Sequence, residues 1–530
     1  MNRPMKRPMK RLVIALFMLA PTAAHAGGLF VPGAGPQAQA RAGAFVAKAD
    51  DGSALFHNPA GFAKLTGTVV YVGVNLVSYS LDYTRAGHYE DTGNGESYIG
   101  APYPTVSDES SPIVGVGPFQ AIPLVAVSTD MGKPDLNLRI AGGIIAPQAH
   151  PNRKFKQSHD LGGADLAPGP QRYDSIEQSA ETALPSLAIA YRPMPKLDIG
   201  VRASWGIAEL NAKTATWGIR NYEEWEEKDG VFSIDVKDNF VPAWGAGVLF
   251  RPSSSFEIGA AYHSALHIRA KGEGSTILGT AVDPLDPDAF IEAEDRPQFI
   301  DCELGGEDIV ALKSCLDLDL PQFATVGGRW VMRDDDGSEK ADVEIDVRWE
   351  NWSADKASEY EVRVDGKSST GGFVLNPATI GHRLEDVWSV RVGGSYTTQL
   401  GGSDMTYRLG VAHDTKTAKL SYVRVDFDSA PRTTFGLGAA YTFAGGKYRL
   451  DLGGGYVYEP TRKLAQCLPP DGPDLSRTSC SGEDLPAKDR IHPDPAQPLS
   501  DANSAFESPF NAGKYESSYL LFSLGLAASF

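Results

Sequence analysis

The stretch Val343-Glu344-Ile345-Asp346-Val347-Arg348-Trp349-Glu350 alternates apolar and charged residues without a break. Successive side chains of an extended strand point to opposite faces, so one face here is wholly apolar and the other wholly ionic. These charges cannot share an apolar core, whereas they suit a polar lumen while Val343, Ile345, Val347 and Trp349 face lipid. The same arrangement recurs where Tyr448, Leu450, Leu452 and Tyr456 interleave with Arg449, Asp451, Gly453 and Gly455. Trp388, Val390, Val392 and Tyr396 repeat it around Arg391. At the C-terminus Leu520, Phe522, Leu524, Leu526, Ala528 and Phe530 share one parity, with Ser523, Gly525 and Ser529 between them.

One alternating strand would also suit a soluble sandwich, so the connections decide. Segments of this kind fall near 65–82, 119–131, 135–146, 175–192, 196–210, 240–251, 255–271, 320–333, 338–352, 386–399, 403–416, 431–444, 447–460 and 514–530. Tight turns lie at Met131 to Asp135, Arg192 to Pro195, Arg251 to Ser255, Asp334 to Gly337, Leu400 to Gly402 and Ala444 to Gly446, and each intervening connection is long. Short turns on one side and long loops on the other are the topology of an outer-membrane barrel with both termini in the periplasm. The expected fold is all-β, a transmembrane antiparallel barrel of about fourteen strands over residues 65–530.

Compartment and composition agree. Arg3, Lys6, Arg7, Lys10 and Arg11 precede the apolar run Leu12 to Ala20, which ends in Ala24-His25-Ala26. Residues 1–26 read as a secretory signal peptide, too short in its apolar part to span a bilayer that needs about 18 residues. Fifty-six glycines, 9% aromatic and 22% charged residues suit many two-faced strands and polar loops. The formal net charge of −18, more negative still once the signal is removed, disfavours nucleic acid as a partner and suits soluble external loops. Cys302 with Cys315 and Cys467 with Cys480 form two local pairs in the longest loops, and an exported chain makes disulfides plausible. A site of four thiolates on a metal is the rival reading, without the C-x-x-C spacing that favours it.

Residues 27–64 precede the first strand and are too small and rich in Gly and Ala to make another one. A barrel of this size has a lumen that leaks unless filled, and this segment would fill it as a hatch. Here Arg41-Ala42-Gly43, Ala49-Asp50-Asp51 and Asn58-Pro59-Ala60-Gly61 resemble the N-terminal hatch of FadL/TodX transporters, whose NPA motif Asn58, Pro59 and Ala60 match. Out of context Asn58-Pro59 would read as an ordinary turn. Weaker echoes are Phe256-Glu257-Ile258-Gly259 through Tyr262-His263-Ser264, Trp349 to Trp352, Asp426 to Pro431, and Phe530.

The resemblance implies passive outer-membrane transport of long-chain fatty acids or aromatic and aliphatic hydrocarbons. Capture in the external loops, binding in the lumen near the hatch, and sideways exit at a kinked third strand would follow one another. Trp217, Ile219, Tyr222, Trp225 and Phe232 in the third external loop, with Phe290 and Phe299 in the fourth, are candidates for capture, or for packing the loops together. Gly142, Gly143 and Pro147 are candidates for the lateral opening, since adjacent glycines permit a bulge and proline cannot donate to a ladder. They also read as ordinary strand glycines. Parity directs Arg139, Arg202, Arg329, Arg348, Arg391 and Arg408 to the lumen, where one could hold a carboxylate unless Asp198, Glu257, Glu344, Asp346 and Asp451 pair with them.

No Gly-x-Ser-x-Gly or His-Glu-x-x-His occurs, and His263 with His267 on one strand read as polar lining, so an enzyme is not expected. Nor is a cofactor or a metal. An energised receptor needs about 22 strands plus a plug domain, more than this chain supplies. The expected partners are a hydrophobic small molecule, outer-membrane lipid and lipopolysaccharide, and the barrel-assembly machinery, with the chain as a monomer. The competing function is a plugged barrel that serves as a general porin or a surface adhesin.

Overall fold

The computed structural model describes residues 30–89, 95–112, 114–216, 230–277, 313–364, 378–382, 384–417, 423–427, 430–464, 466–468, 479–481 and 513–530. Fourteen antiparallel strands form the wall. They are β1 (Thr68–Arg85), β2 (Phe119–Thr129), β3 (Leu138–Ile145), β4 (Glu177–Met194), β5 (Leu197–Thr216), β6 (Gly230–Ser253) and β7 (Phe256–His263 continued by Leu266–Ile277). After these come β8 (Lys313–Leu320 continued by Phe323–Arg333), β9 (Glu339–Glu350 continued by Glu359–Val364), β10 (Ala378–Gly381 continued by Val387–Leu400), β11 (Ser403–Asp414), β12 (Arg432–Phe443), β13 (Tyr448–Tyr458) and β14 (Gly513–Ser529). Strand β1 bonds to β2 on one edge and to β14 on the other, which closes the ring. Phe530 completes the seam, its N–H donating to the Thr68 carbonyl at 2.8 Å.

The lower wall is built as the alternation requires. Leu187, Val326, Trp330, Leu409, Leu437 and Leu524 are exposed on the outer face, while Asp346, Glu344, Arg329 and Asp451 are buried within. An apolar outside and a polar inside suit a lipid surround.

Higher up, β4 to β9 reverse this polarity. Leu210, Ile234, Val236, Ile268, Ala270 and Leu316 now point inward and are buried, and Glu209, Lys237 and Arg269 point out. The reversal has a local cause on three neighbouring strands. The β5–β6 register shifts between Gly206 and Ala208, β7 breaks between His263 and Leu266, and β8 breaks between Leu320 and Phe323. Because strand parity has period two, the extra residue on β6 and the breaks in β7 and β8 turn their upper side chains to the other face, whereas β5 keeps its inward parity from Arg202 to Leu210 and changes its residues instead. This explains why β5 and β6 are longer than the sequence indicates: beyond Leu210 and before Phe240 their outer residues are charged, which reads as loop.

Residues 30–67 run inside the ring. They contain α1 (Pro36–Ala40), α2 (Ala54–His57) and a 3-10 turn over Pro59–Lys64, short pieces that suit a run of alanines and glycines. Phe45, Leu55 and Phe62 are fully buried there. None of the helices described is long and apolar enough to cross a membrane.

Candidate functional site

The N-terminal segment seats against the wall through missing side chains. A Cβ at Gly410 would fall on the Arg41 backbone, at Gly200 on the Ala60 amide, at Gly436 on the Gln39 carbonyl and at Gly259 on the Val46 carbonyl. These inward glycines let backbone meet backbone, as only a residue without a Cβ allows.

Ion pairs lock the seat. The Arg41 guanidinium lies 2.9 Å from Asp342 and 3.0 Å from Glu344, all three buried, and its Nη1 donates to Ser395 at 2.7 Å. Glu344 also accepts from the Ala47 N–H at 2.6 Å, and Asp346 accepts from the N–H groups of Phe45 and Val46 at 2.8 and 3.0 Å. Around the ring, Lys64 meets Glu257 at 2.8 Å and Asp51 meets Arg449 at 3.2 Å. Backbone N–H groups that a buried turn would otherwise leave unpaired are thus satisfied by wall carboxylates.

Asn58 joins three elements. Its Nδ2 donates to the Val46 carbonyl at 2.8 Å and to the Val248 carbonyl of β6 at 3.3 Å, and its Oδ1 accepts from the Ala60 N–H at 3.1 Å as the cap of the 3-10 turn. Pro59 follows at the first position of that turn, where its missing N–H costs nothing. Ala60 abuts Gly200, and a Cβ on Gly61 would collide with the Ala49 carbonyl. Nearby, His57 Nε2 lies 3.0 Å from the Ala34 carbonyl oxygen. Burial, opposed by that contact and reinforced by Arg391, lowers the His57 imidazole to about 3.

All six lumen arginines are buried, and five sit beside a carboxylate. Arg139 is 3.6 Å from Asp130, Arg348 2.9 Å from Glu350, Arg391 3.9 Å from Asp414 and Arg408 2.9 Å from Asp451. Arg329 binds Glu257 at 2.8 Å and Asp342 at 2.9 Å. Arg202 has no carboxylate partner among the described residues and donates to the Leu55 carbonyl at 2.8 Å.

Above this ion-paired layer lies a cavity of about 530 Å³. Leu210, Ile234, Ile268, Leu316, Trp352 and Phe427 give it an apolar lining. Of these, Trp352 and Phe427 lie in segments already marked by the weaker sequence echoes, Leu210 and Ile268 lie at the upper ends of strands expected from the sequence, and Ile234 and Leu316 fall where the sequence indicates loop. Phe232 lines the same cavity from β6 rather than from a loop. Trp217, Ile219, Tyr222, Trp225, Phe290 and Phe299 lie outside the described residues.

The wall itself is interrupted beside the cavity. Gly142 and Gly143 are paired on both sides, to Val127 and Ala126 of β2 and to Leu187 and Ser186 of β4. The β3 ladder then ends at Ile145, paired with Leu184, and the next pairing on that edge of β4 is Lys154 with Glu177 and Arg153 with Gln178. Residues 179–183 of β4 therefore have no β3-side strand partner among the described residues, and Pro147 lies where the chain turns away. The cavity is lined both by inward Ile145 and Leu210 and by outward Ile144 and Ile207, so it reaches through the wall at this place.

None of the described cysteines is free. Cys467 stands opposite Cys480 in a short antiparallel ladder, and Cys302, the sequence neighbour of Cys315, lies outside the described residues. No cluster of metal-ligating residues occurs among the described residues.

Three kinds of comparison bear on this arrangement. A curated relative, the 47 kDa outer membrane protein of Pasteurella multocida, is 27% identical over 200 residues, which are 38% of this chain and 40% of the relative. Among solved structures, a Pseudomonas aeruginosa FadL homologue superposes with a TM-score of 0.66 at 15% identity, over 95% of this chain and 100% of the other. The Ralstonia pickettii toluene transporter TbuX superposes with a TM-score of 0.57 at 13% identity, over 94% and 99%. At such identities the superpositions establish the fold. The family model described as outer membrane protein transport protein (OMPP1/FadL/TodX) matches residues 17–468, so the chain belongs to that family and resides in the outer membrane.

Proposed function

We propose that this chain carries hydrophobic compounds passively across the outer membrane, with residues 27–64 as a hatch that closes the periplasmic half of the lumen. The observation that supports this most is the apolar cavity directly above the ion-paired layer, continuous with a break in the wall beside β3. A molecule bound among Leu210, Leu316 and Trp352 leaves water on entry, and about 25 cal/mol per Å² of buried apolar area drives it there without an energy source. The sideways exit is assigned to the break between Ile145 and residues 179–183, above Gly142 and Gly143 and beside Pro147. The external aromatic residues of the third and fourth loops serve capture.

In this reading the signal peptide directs export, the Cys302–Cys315 bridge ties the fourth external loop to β8, the Cys467–Cys480 bridge braces the last external loop, and the barrel-assembly machinery inserts the monomer among lipid and lipopolysaccharide. Cys315 lies in the wall rather than in the loop expected from the sequence. The chain has no enzymatic role.

Liposomes bearing the purified protein test the proposal. A hydrophobic fluorescent probe should enter saturably while sugars stay out. Free sugar passage without saturable probe entry would make the protein a porin and end the proposal. Replacing Asn58 and Pro59 by alanine should change probe entry while the barrel keeps its heat-modifiable mobility on a gel.

A further inference from the structure

We infer that Glu181 and Glu209 form a charge filter at the break in the wall, which passes uncharged hydrophobic molecules and turns carboxylates back. The inference rests on the transport reading above and adds to it the charge class of the cargo.

Its starting point is placement. Glu181 of β4 and Glu209 of β5 are direct register partners, and both line the cavity. They lie two residues above Ala183 and Ile207 on the outward face, where the cavity crosses the wall. Directly opposed side chains on one face of a sheet have Cβ atoms about 5 Å apart, and like charges there destabilise the pairing. Glu209 has Lys237 of β6 as its other register partner, but the ladder gains nothing from a carboxylate at Glu181, where a threonine or a lysine would serve it better.

Nearby cations leave Glu181 uncancelled. Lys213 is the register partner of Glu177, which already holds Lys154 at 2.9 Å. Lys237 lies 3.4 Å from Glu209, both half exposed. Glu181 has no ion-pair partner among the described residues.

Inside the cavity cations are few. Lys213 is the one lysine or arginine among its described lining residues, and His382 lies 3.1 Å from Asp426. A carboxylate leaving sideways would approach one or two like charges at the edge of a low-dielectric wall, where charge repulsion is weakly screened. An alcohol or a hydrocarbon of the same length would feel no such barrier.

Transport of a long-chain alcohol, carboxylate and amine of equal tail length, measured in proteoliposomes at alkaline pH, tests the filter. The unaltered protein should favour the alcohol over the carboxylate by about tenfold, as repulsion of this kind implies. Glu181→Gln with Glu209→Gln should bring that ratio close to one while the alcohol rate holds. Should the double variant fail to assemble, Glu181→Gln alone, which breaks no ion pair, should still raise carboxylate entry several-fold. A ratio unchanged by these substitutions overturns the filter and leaves the transport reading standing. If neither alcohol nor amine enters through the unaltered protein, the transport reading itself falls.

Discussion

The lower and upper halves of the lumen are built on opposite principles. Below, the wall presents charges and glycines inward, and the N-terminal segment fills the space so closely that backbone rests on backbone. Above, the wall presents leucine and isoleucine inward and leaves about 530 Å³ empty. A polar interior is tolerable only when its hydrogen bonds and charges are matched, so the lower half is dense and paired. An apolar lining makes no such demand, because leucine and isoleucine need no hydrogen-bond partner. The strand breaks at one height separate the two regimes.

The comparison can be broken most severely at Arg41. Arg41→Ala leaves Glu344 buried without its cation and Asp342 with Arg329 alone, a loss of about 3 to 5 kcal/mol for such sites. The N-terminal segment should unseat, seen as ion conductance in planar bilayers by a protein that still runs as a folded barrel. Gly410→Leu attacks the same half by steric means, since its side chain would occupy the place of the Arg41 backbone. The cost of overpacking is about 1 to 3 kcal/mol, and hydrogen exchange of residues 36–44 should rise.

Leu210→Trp sharpens the contrast from above. It fills part of the cavity, so affinity for an apolar probe should fall on the order of tenfold, equivalent to about 1.4 kcal/mol, while conductance stays at the level of the unaltered protein. A rise in conductance would show that the halves are not independent.

The smallest expected effect is that of pH on His57. Its imidazole is lowered to about 3 in the seated segment, against an ordinary value of 6.5 when released to water. The released state therefore binds more protons between these values, so seating is strongest above about pH 6.5 and weakens as pH falls toward 3. Protection of residues 54–64 from exchange should follow that profile, and His57→Gln should flatten it.

Much of the wall was legible without coordinates. Strand positions, turn sides and the inward direction of Arg329, Arg348, Arg391 and Arg408 follow from period-two alternation between near neighbours, which a chain displays in its own order. Parts of the upper wall were not, because its polarity reverses: Asn211 and Lys213 beyond Leu210 carry no mark that says strand rather than loop. Nor could the pairing of the arginines be read. Arg41 finds Glu344 across 303 positions of sequence, and Arg408 finds Gln37 across 371.

By itself, then, the sequence determined that this chain is a fourteen-stranded barrel with a small-residue segment ahead of it, since those properties are local and repeat along the chain. Only the tertiary structure decided that the lower charges are consumed in holding the segment. It alone decided that the cavity lies above them, and that the wall is broken beyond Ile145 rather than at Gly142 and Gly143. Each of these depends on which strand ends at which height next to which neighbour, a relation that closure of the ring creates and no single segment contains.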